Sequence, residues 1–281
     1  MTIFAKYIIC FMRNRDYLLI WTENLQANGR YSFTFEEACR HFPDISDSAI
    51  TQSLSGLVAR GKILSVFKGF YIIITPEYSV KGIIPPVMFI DALMKYAKKN
   101  YYVGLLSAAS FYGAAHQRPQ EFFVIHDLPA MRPTEKRGIR INYIGRLAIN
   151  QTLLEKQKTE AGYILVSNPE LTAVDLLQYV NYIGGVSRAA TVINELCERI
   201  RPVRFTPELI QSTQAAVLQR LGYIIENVAG NRKLADDIYK KVKKAIPEFH
   251  PRLLKTGGTA KGFETDPKWK IVINTDIEID E

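Results

Sequence analysis

Between residues 13 and 74 the chain places three helical segments and then two β-rich runs joined by only two residues, and few folds accommodate that order. In residues 13–28, Leu18, Trp21, Thr22 and Leu25 recur at helical spacing, and Asn28-Gly29 stops the run. Residues 34–41 make a shorter helix. Thr34 suits its N-cap, and Glu36 and Glu37 place carboxylates at the positive helix end. Pro43 then forces a turn. Residues 46–60 make the third helix, capped by Ser46, with Ile50, Leu54, Leu57 and Val58 on one apolar stripe. Arg60-Gly61-Lys62 ends it, and the runs Ile63–Phe67 and Phe70–Ile74 meet at Lys68-Gly69, a tight hairpin turn. Three helices and a hairpin in this order are the arrangement of a winged helix-turn-helix, which assigns residues 1–80 to a DNA-binding domain.

A polar face on the third helix gives that assignment chemical content. Ser48, Thr51, Gln52 and Ser55 lie together opposite the apolar stripe, and a major groove admits a helix bearing short polar side chains. Arg60, Lys62 and Lys68 flank this face and suit phosphate contacts. Bulk charge does not decide the matter, because residues 1–80 hold eight Lys/Arg against seven Asp/Glu. The chain as a whole carries a net charge of +8, which makes polyanions the first partners to consider.

Past Pro76 the pattern changes. Pro85 and Pro86 open a helix over 85–98, and residues 104–113 are small and apolar up to Gly113. Strand-like runs follow at Glu121–Ile125, Ile139–Ile144 and Tyr163–Val166. Helical segments then occupy 170–181, 187–200, 207–221 and 231–246, and a last strand, Lys270–Ile273, precedes an acidic tail. The expected fold class is α+β: a winged helix-turn-helix at 1–80, with an apolar lead-in at 1–12, and a mixed, mostly helical domain with a small β-sheet at 81–281. Within that second domain Arg132, Lys136, Arg137, Arg140 and Arg146 face a single acid, Glu135, in their segment. Strand alternation turns Arg140 outward with Arg137 and Arg146 at the strand ends, a basic surface for a polyanion or, in the plainer reading, charge placed for solubility.

Several chemistries find no support in the sequence. Cys10, Cys39 and Cys197 are too scattered for a zinc site or a disulfide framework and suit a reducing cytoplasm. His41, His116, His126 and His250 show no metal-ligand spacing. Ser107 and His116 lack a nucleophile elbow, and Gly257–Gly262 lacks the ending of a phosphate loop. The first twelve residues are too short to cross a bilayer, and Arg13 and Arg15 follow the apolar run, not precede it as in a signal peptide; Met12 is an alternative start. No catalytic residue, cofactor, metal or membrane contact is expected.

Four stretches, in order, carry a family likeness. They are Tyr102-Val103-Gly104-Leu105-Leu106-Ser107-Ala108-Ala109 with Tyr112-Gly113 and His116-Gln117; Ser167-Asn168-Pro169-Glu170-Leu171-Thr172-Ala173 with Asp175-Leu176; Gln219-Arg220-Leu221-Gly222-Tyr223; and Trp269-Lys270-Ile271-Val272-Ile273-Asn274. Over roughly 13–281 the chain resembles the AbiEi antitoxins of type IV toxin–antitoxin systems. The resemblance implies an autorepressor that binds inverted repeats of double-stranded DNA in its own promoter. It also implies antitoxicity toward a cognate nucleotidyltransferase toxin without a stable complex. Such a toxin needs a Gly-Ser turn followed by paired carboxylates; here the close carboxylate alternations lie in the final acidic tail with no Gly-Ser before them, which puts this chain on the antitoxin side. Two rival classes are a protein-interaction module with a vestigial winged helix and a nucleic-acid-modifying enzyme; the latter needs clustered carboxylates or a metal site, which the sequence does not display.

Overall fold

The computed structural model describes residues 16–114 and 121–279, so the lead-in at 1–12 and His116 lie outside the described residues. The architecture is α+β. Contacts gather the chain into two compact units. One comprises the described residues up to Tyr101 with His126–Gly145 and Lys156–Ile164, and the other Tyr102–Ile125, Arg146–Glu155 and the chain from Leu165 onward.

The first unit opens with α1 (Asp16–Ala27), β1 (Ser32–Thr34), α2 (Phe35–His41), α3 (Asp47–Ala59), β2 (Ile63–Phe67) and β3 (Phe70–Ile73). The strands form an antiparallel sheet in the order β1-β3-β2. Local chemistry sets the helix starts. Thr34 Oγ1 accepts from Glu37 N at 3.1 Å while the Glu37 carboxylate accepts from Thr34 N at 2.9 Å, a reciprocal capping box. Ser46 caps α3 through Ala49 N. The stripe expected on α3 is the core: Ile50, Leu54 and Leu57 pack with Leu18, Trp21, Phe33, Ala38, Ile63 and Ile73. β1 escaped the sequence reading because three residues give no alternation to detect. The helix expected at 85–98 divides into a tight 3₁₀ turn at Pro86–Met88 and α4 (Ile90–Tyr96).

A six-stranded sheet is built from β4 (Tyr101–Val103), β5 (Glu121–Asp127), β6 (Thr134–Lys136), β7 (Ile139–Arg146), β8 (Leu154–Thr159) and β9 (Gly162–Ser167), in the order β6-β7-β5-β4-β9-β8. Position in the sheet explains composition. The middles of β5 and β7 are buried on both faces, so Phe123–Ile125 reads as a continuous apolar run and Ile141, Tyr143 and Ile144 enclose a buried Asn142. The edge strands β6 and β8 are polar throughout most of their length, which is why the sequence did not announce them as strands.

The second unit adds α5 (Leu105–Phe111), α6 (Pro169–Gln178), α7 (Val186–Leu196), α8 (Pro207–Gln211), α9 (Ala215–Tyr223), a π-helical turn at Ile224–Val228, and α10 (Arg232–Ala245). Short strands β10 (Arg252–Leu253) and β11 (Ile271–Val272) pair in parallel. One expected helix, 207–221, is two, because the Thr213 and Ser212 hydroxyls turn back onto the Leu209 carbonyl and close α8 early. Asn168 caps α6 through Leu171 N with Pro169 at the first helical position, and the helix is buried almost all round.

Candidate functional site

The polar face expected on α3 exists as a surface. Ser48, Thr51, Gln52 and Ser55 are all exposed. Thr51 Oγ1 donates to Asp47 O at 2.8 Å and Ser55 Oγ to Thr51 O at 2.9 Å, while the Ser48 and Ser46 hydroxyls lie 3.1 Å apart. Thr51 and Ser55 thus satisfy their protons on the helix's own backbone and turn their lone pairs outward, as acceptors, while Ser48 pairs with the Ser46 hydroxyl. Gln52 brings both a donor and an acceptor to the same face. Arg60, Lys62 and Lys68 are exposed as well, at the end of α3, the start of β2 and the tip of the β2–β3 hairpin.

The basic segment divides. Arg132, Lys136, Arg137 and Arg140 are exposed and belong to the first unit, the one that also holds α1–α3. β6 and β7 form a hairpin in which Lys136 pairs with Ile139 and Glu135 with Arg140. Arg137 and Gly138 make its two-residue turn, both at positive φ, +49° and +77°. A turn of this type favours Asn-Gly, so Arg137 occupies its place at a backbone cost.

Arg146 is elsewhere and does something else. Its guanidinium donates to Asp175 Oδ1 at 2.9 Å and to Tyr102 Oη at 2.7 Å, and Tyr102 Oη donates to Asp175 Oδ2 at 2.7 Å. The arginine side chain is 16% exposed and the aspartate 0%. The exposed position expected for Arg146 on the basic surface is therefore corrected. Residues near a strand end read as solvent-facing in the sequence, but a carboxylate 29 positions away draws this one inward. Burial pushes the Asp175 carboxyl up to about 6 against the opposing pull of Arg146 and the Tyr102 hydroxyl. Burial and the Asp175 charge raise the Tyr102 phenol, which stays protonated and able to donate.

A second polar cluster lies close by in the same unit. Tyr112 Oη donates to Ser167 O at 2.7 Å and contacts Glu155 Oε2 at 3.2 Å, and Glu155 in turn holds Arg204. Glu170 Oε1 accepts from Arg201 N at 2.7 Å, while burial raises its carboxyl. Glu155, Arg204, Asn168 and Thr206 line a cleft of about 420 Å³. None of these residues stood out in the sequence as a group, because they are spread from Tyr112 to Thr206 and follow no spacing rule. Ser107, by contrast, is accounted for: its hydroxyl is buried and accepts from Phe123 N at 3.0 Å, a packing role. Among the described residues no cluster of His, Cys, Asp and Glu is arranged to hold a metal, and no helix is long and apolar enough to cross a membrane.

The four sequence stretches meet in pairs. Tyr102 of the first and Asp175 of the second share the Arg146 network. Gln219 of the third donates to the carbonyls of His250 and Trp269, and a Cβ on Gly222 would fall 2.1 Å from the Trp269 ring of the fourth. Residues 102–227, which contain the whole Tyr102–Arg146–Asp175 network, match the family model of the AbiEi antitoxin C-terminal domain. That stretch is similar to an AbiEi antitoxin C-terminal domain. The buried arginine–aspartate pair lies inside the matched stretch. The crystal structure of the RV2827C protein from Mycobacterium tuberculosis shares the fold, with a TM-score of 0.64 over 89% of each chain at 16% sequence identity. No match was found among curated proteins.

Proposed function

We propose that this protein is a type IV antitoxin that represses its own operon. Residues 1–80 act as a winged helix-turn-helix on inverted repeats in promoter DNA, with α3 in the major groove and the β2–β3 hairpin as the wing. Residues 81–281 counter a nucleotidyltransferase toxin without forming a stable complex, in the cytoplasm and without enzymatic activity of their own.

The observation that carries the DNA-binding half is the exposed face of Ser48, Thr51, Gln52 and Ser55, flanked by Arg60, Lys62 and Lys68. Its polar groups present acceptors and one amide toward base edges, and its cations suit phosphates. The exposed cations Arg132, Lys136, Arg137 and Arg140, in the same compact unit, extend the polyanion surface or serve antitoxicity. The AbiEi-like stretch at 102–227 supports the antitoxin half.

A gel shift tests the first half. The full chain should retard its promoter duplex more strongly than a scrambled duplex, with affinity falling steeply as salt rises. Equal retardation of both duplexes at every salt concentration would overturn sequence-specific repression. Co-expression tests the second half: the chain should restore growth to cells expressing the neighbouring nucleotidyltransferase, while affinity capture of the tagged chain recovers no toxin.

A further inference from the structure

The β2–β3 hairpin is held at its tip. Tyr96, the last residue of α4, donates from its phenol to the Lys68 carbonyl at 3.2 Å. The next carbonyl, Gly69 O, accepts from Phe35 N at the start of α2, at 2.8 Å. The carbonyl before them, Phe67 O, accepts from Ser65 Oγ at 3.2 Å. Three successive carbonyls of the turn are thus occupied, two of them by other elements. The Tyr96 ring also packs on Phe70, with centroids 5.6 Å apart, and edge-on to Phe67 at 6.3 Å.

The approach is close enough to dictate sequence. Gly69 has φ +73°, and a Cβ there would lie 2.6 Å from Tyr96 Oη. The turn therefore needs glycine for its backbone and again for the phenol. A free two-residue hairpin tip pays conformational entropy when it docks, whereas a tip fixed beforehand does not.

We propose that Tyr96 is the positioning residue of the DNA-binding hairpin: its phenol fixes the Lys68-Gly69 tip so that the exposed Lys68 ammonium meets a DNA phosphate. The proposal rests on the repressor reading and adds to it a residue outside the helix–helix–helix–hairpin segment. Tyr96 touches no DNA; it acts through Lys68. Burial and the neighbouring Glu36 carboxylate both raise the phenol's pKa, so it remains a donor at any physiological pH.

The test uses the full chain with Y96F, K68A and the double variant, titrated with promoter and scrambled duplexes at several salt concentrations. K68A should weaken promoter binding by about threefold to tenfold and lower the salt-dependence slope by about 1, the signature of one lost phosphate contact. Y96F should reproduce much of both effects with little change in melting temperature, and the double variant should resemble K68A alone. Amide exchange at Lys68–Phe70 should quicken in Y96F without any DNA present. Multiplicative losses in the double variant, or an unchanged salt slope in Y96F, would show Tyr96 to be a packing residue only. Unchanged exchange at the tip would overturn the proposal independently of DNA. If the parent chain fails to prefer its promoter while exchange still quickens in Y96F, the repressor reading fails, and with it the phosphate contact assigned to Lys68; the clamp itself stands.

Discussion

The helix–helix–helix–hairpin segment and the AbiEi-like stretch at 102–227 use the same residue types to opposite ends. On the exposed face of α3 the Thr51 and Ser55 hydroxyls satisfy themselves on their own backbone within one turn, and the cations around them stay in water. In the AbiEi-like stretch polar groups reach across the chain: Tyr102, Arg146 and Asp175 close a network over 73 positions, largely out of solvent. The difference teaches how to read a charge. A cation whose only partners are local remains available to a ligand, whereas one committed to a buried carboxylate belongs to the architecture and is costly to remove.

The largest effect should come from breaking that architecture. Arg146→Met leaves Asp175 buried and unpaired, and should cost about 3–5 kcal/mol at pH 7 in urea unfolding. The loss should shrink at pH 5. Asp175 is raised to about 6 in the folded protein even with Arg146 beside it, and losing that cation raises it further, so at pH 5 the variant buries a neutral carboxyl in place of an unpaired charge. The associated stability is present at low pH and is lost as pH rises through about 6. A loss below about 1 kcal/mol would return Arg146 to the class of solvent-facing cations and dissolve the contrast.

Gly222→Ala comes next, with a cost of about 2–3 kcal/mol, since the new methyl would sit 2.1–2.3 Å from three carbons of the Trp269 ring. Calorimetry would check it, and an accompanying Trp269→Leu should remove much of the penalty. In the exposed class, joint reversal of Arg132, Lys136, Arg137 and Arg140 to Glu should leave stability within about 1 kcal/mol. Promoter affinity, antitoxicity or both should fall; a stable variant that represses and protects like the parent would make the segment a solubility feature. The smallest effect is Arg137→Asn. At φ +49° Asn is better tolerated, so the hairpin should gain up to about 1 kcal/mol while losing one cation.

What was legible in the sequence follows the same division. The segment up to Ile74 was readable because its signals are local: the Thr34 and Ser46 caps, the Ile50–Leu54–Leu57 stripe and the Lys68-Gly69 turn each involve residues within a few positions. The α+β class followed from the same signals. The role of Arg146 was not readable, since nothing near it in sequence identifies Asp175 as its partner. Family likeness flagged Tyr102, Asp175, Gly222 and Trp269 without saying that they act in pairs. The polar edge strands β6 and β8 and the three-residue β1 were missed because sheet position, not alternation, chose their residues.

The outer strand β8 has a bearing on whether copies of this chain add to one another at high concentration. Its open side offers unpaired backbone amides and carbonyls to any extended segment that passes, including the same strand of another molecule. Lys156 and Lys158 stand exposed along it, and a second copy laid alongside would bring like charges together. The two lysines thus act as a guard against strand-by-strand polymerisation. Replacing both with valine should leave the fold intact, yet make light scattering grow with time and with added salt beyond that of the parent chain.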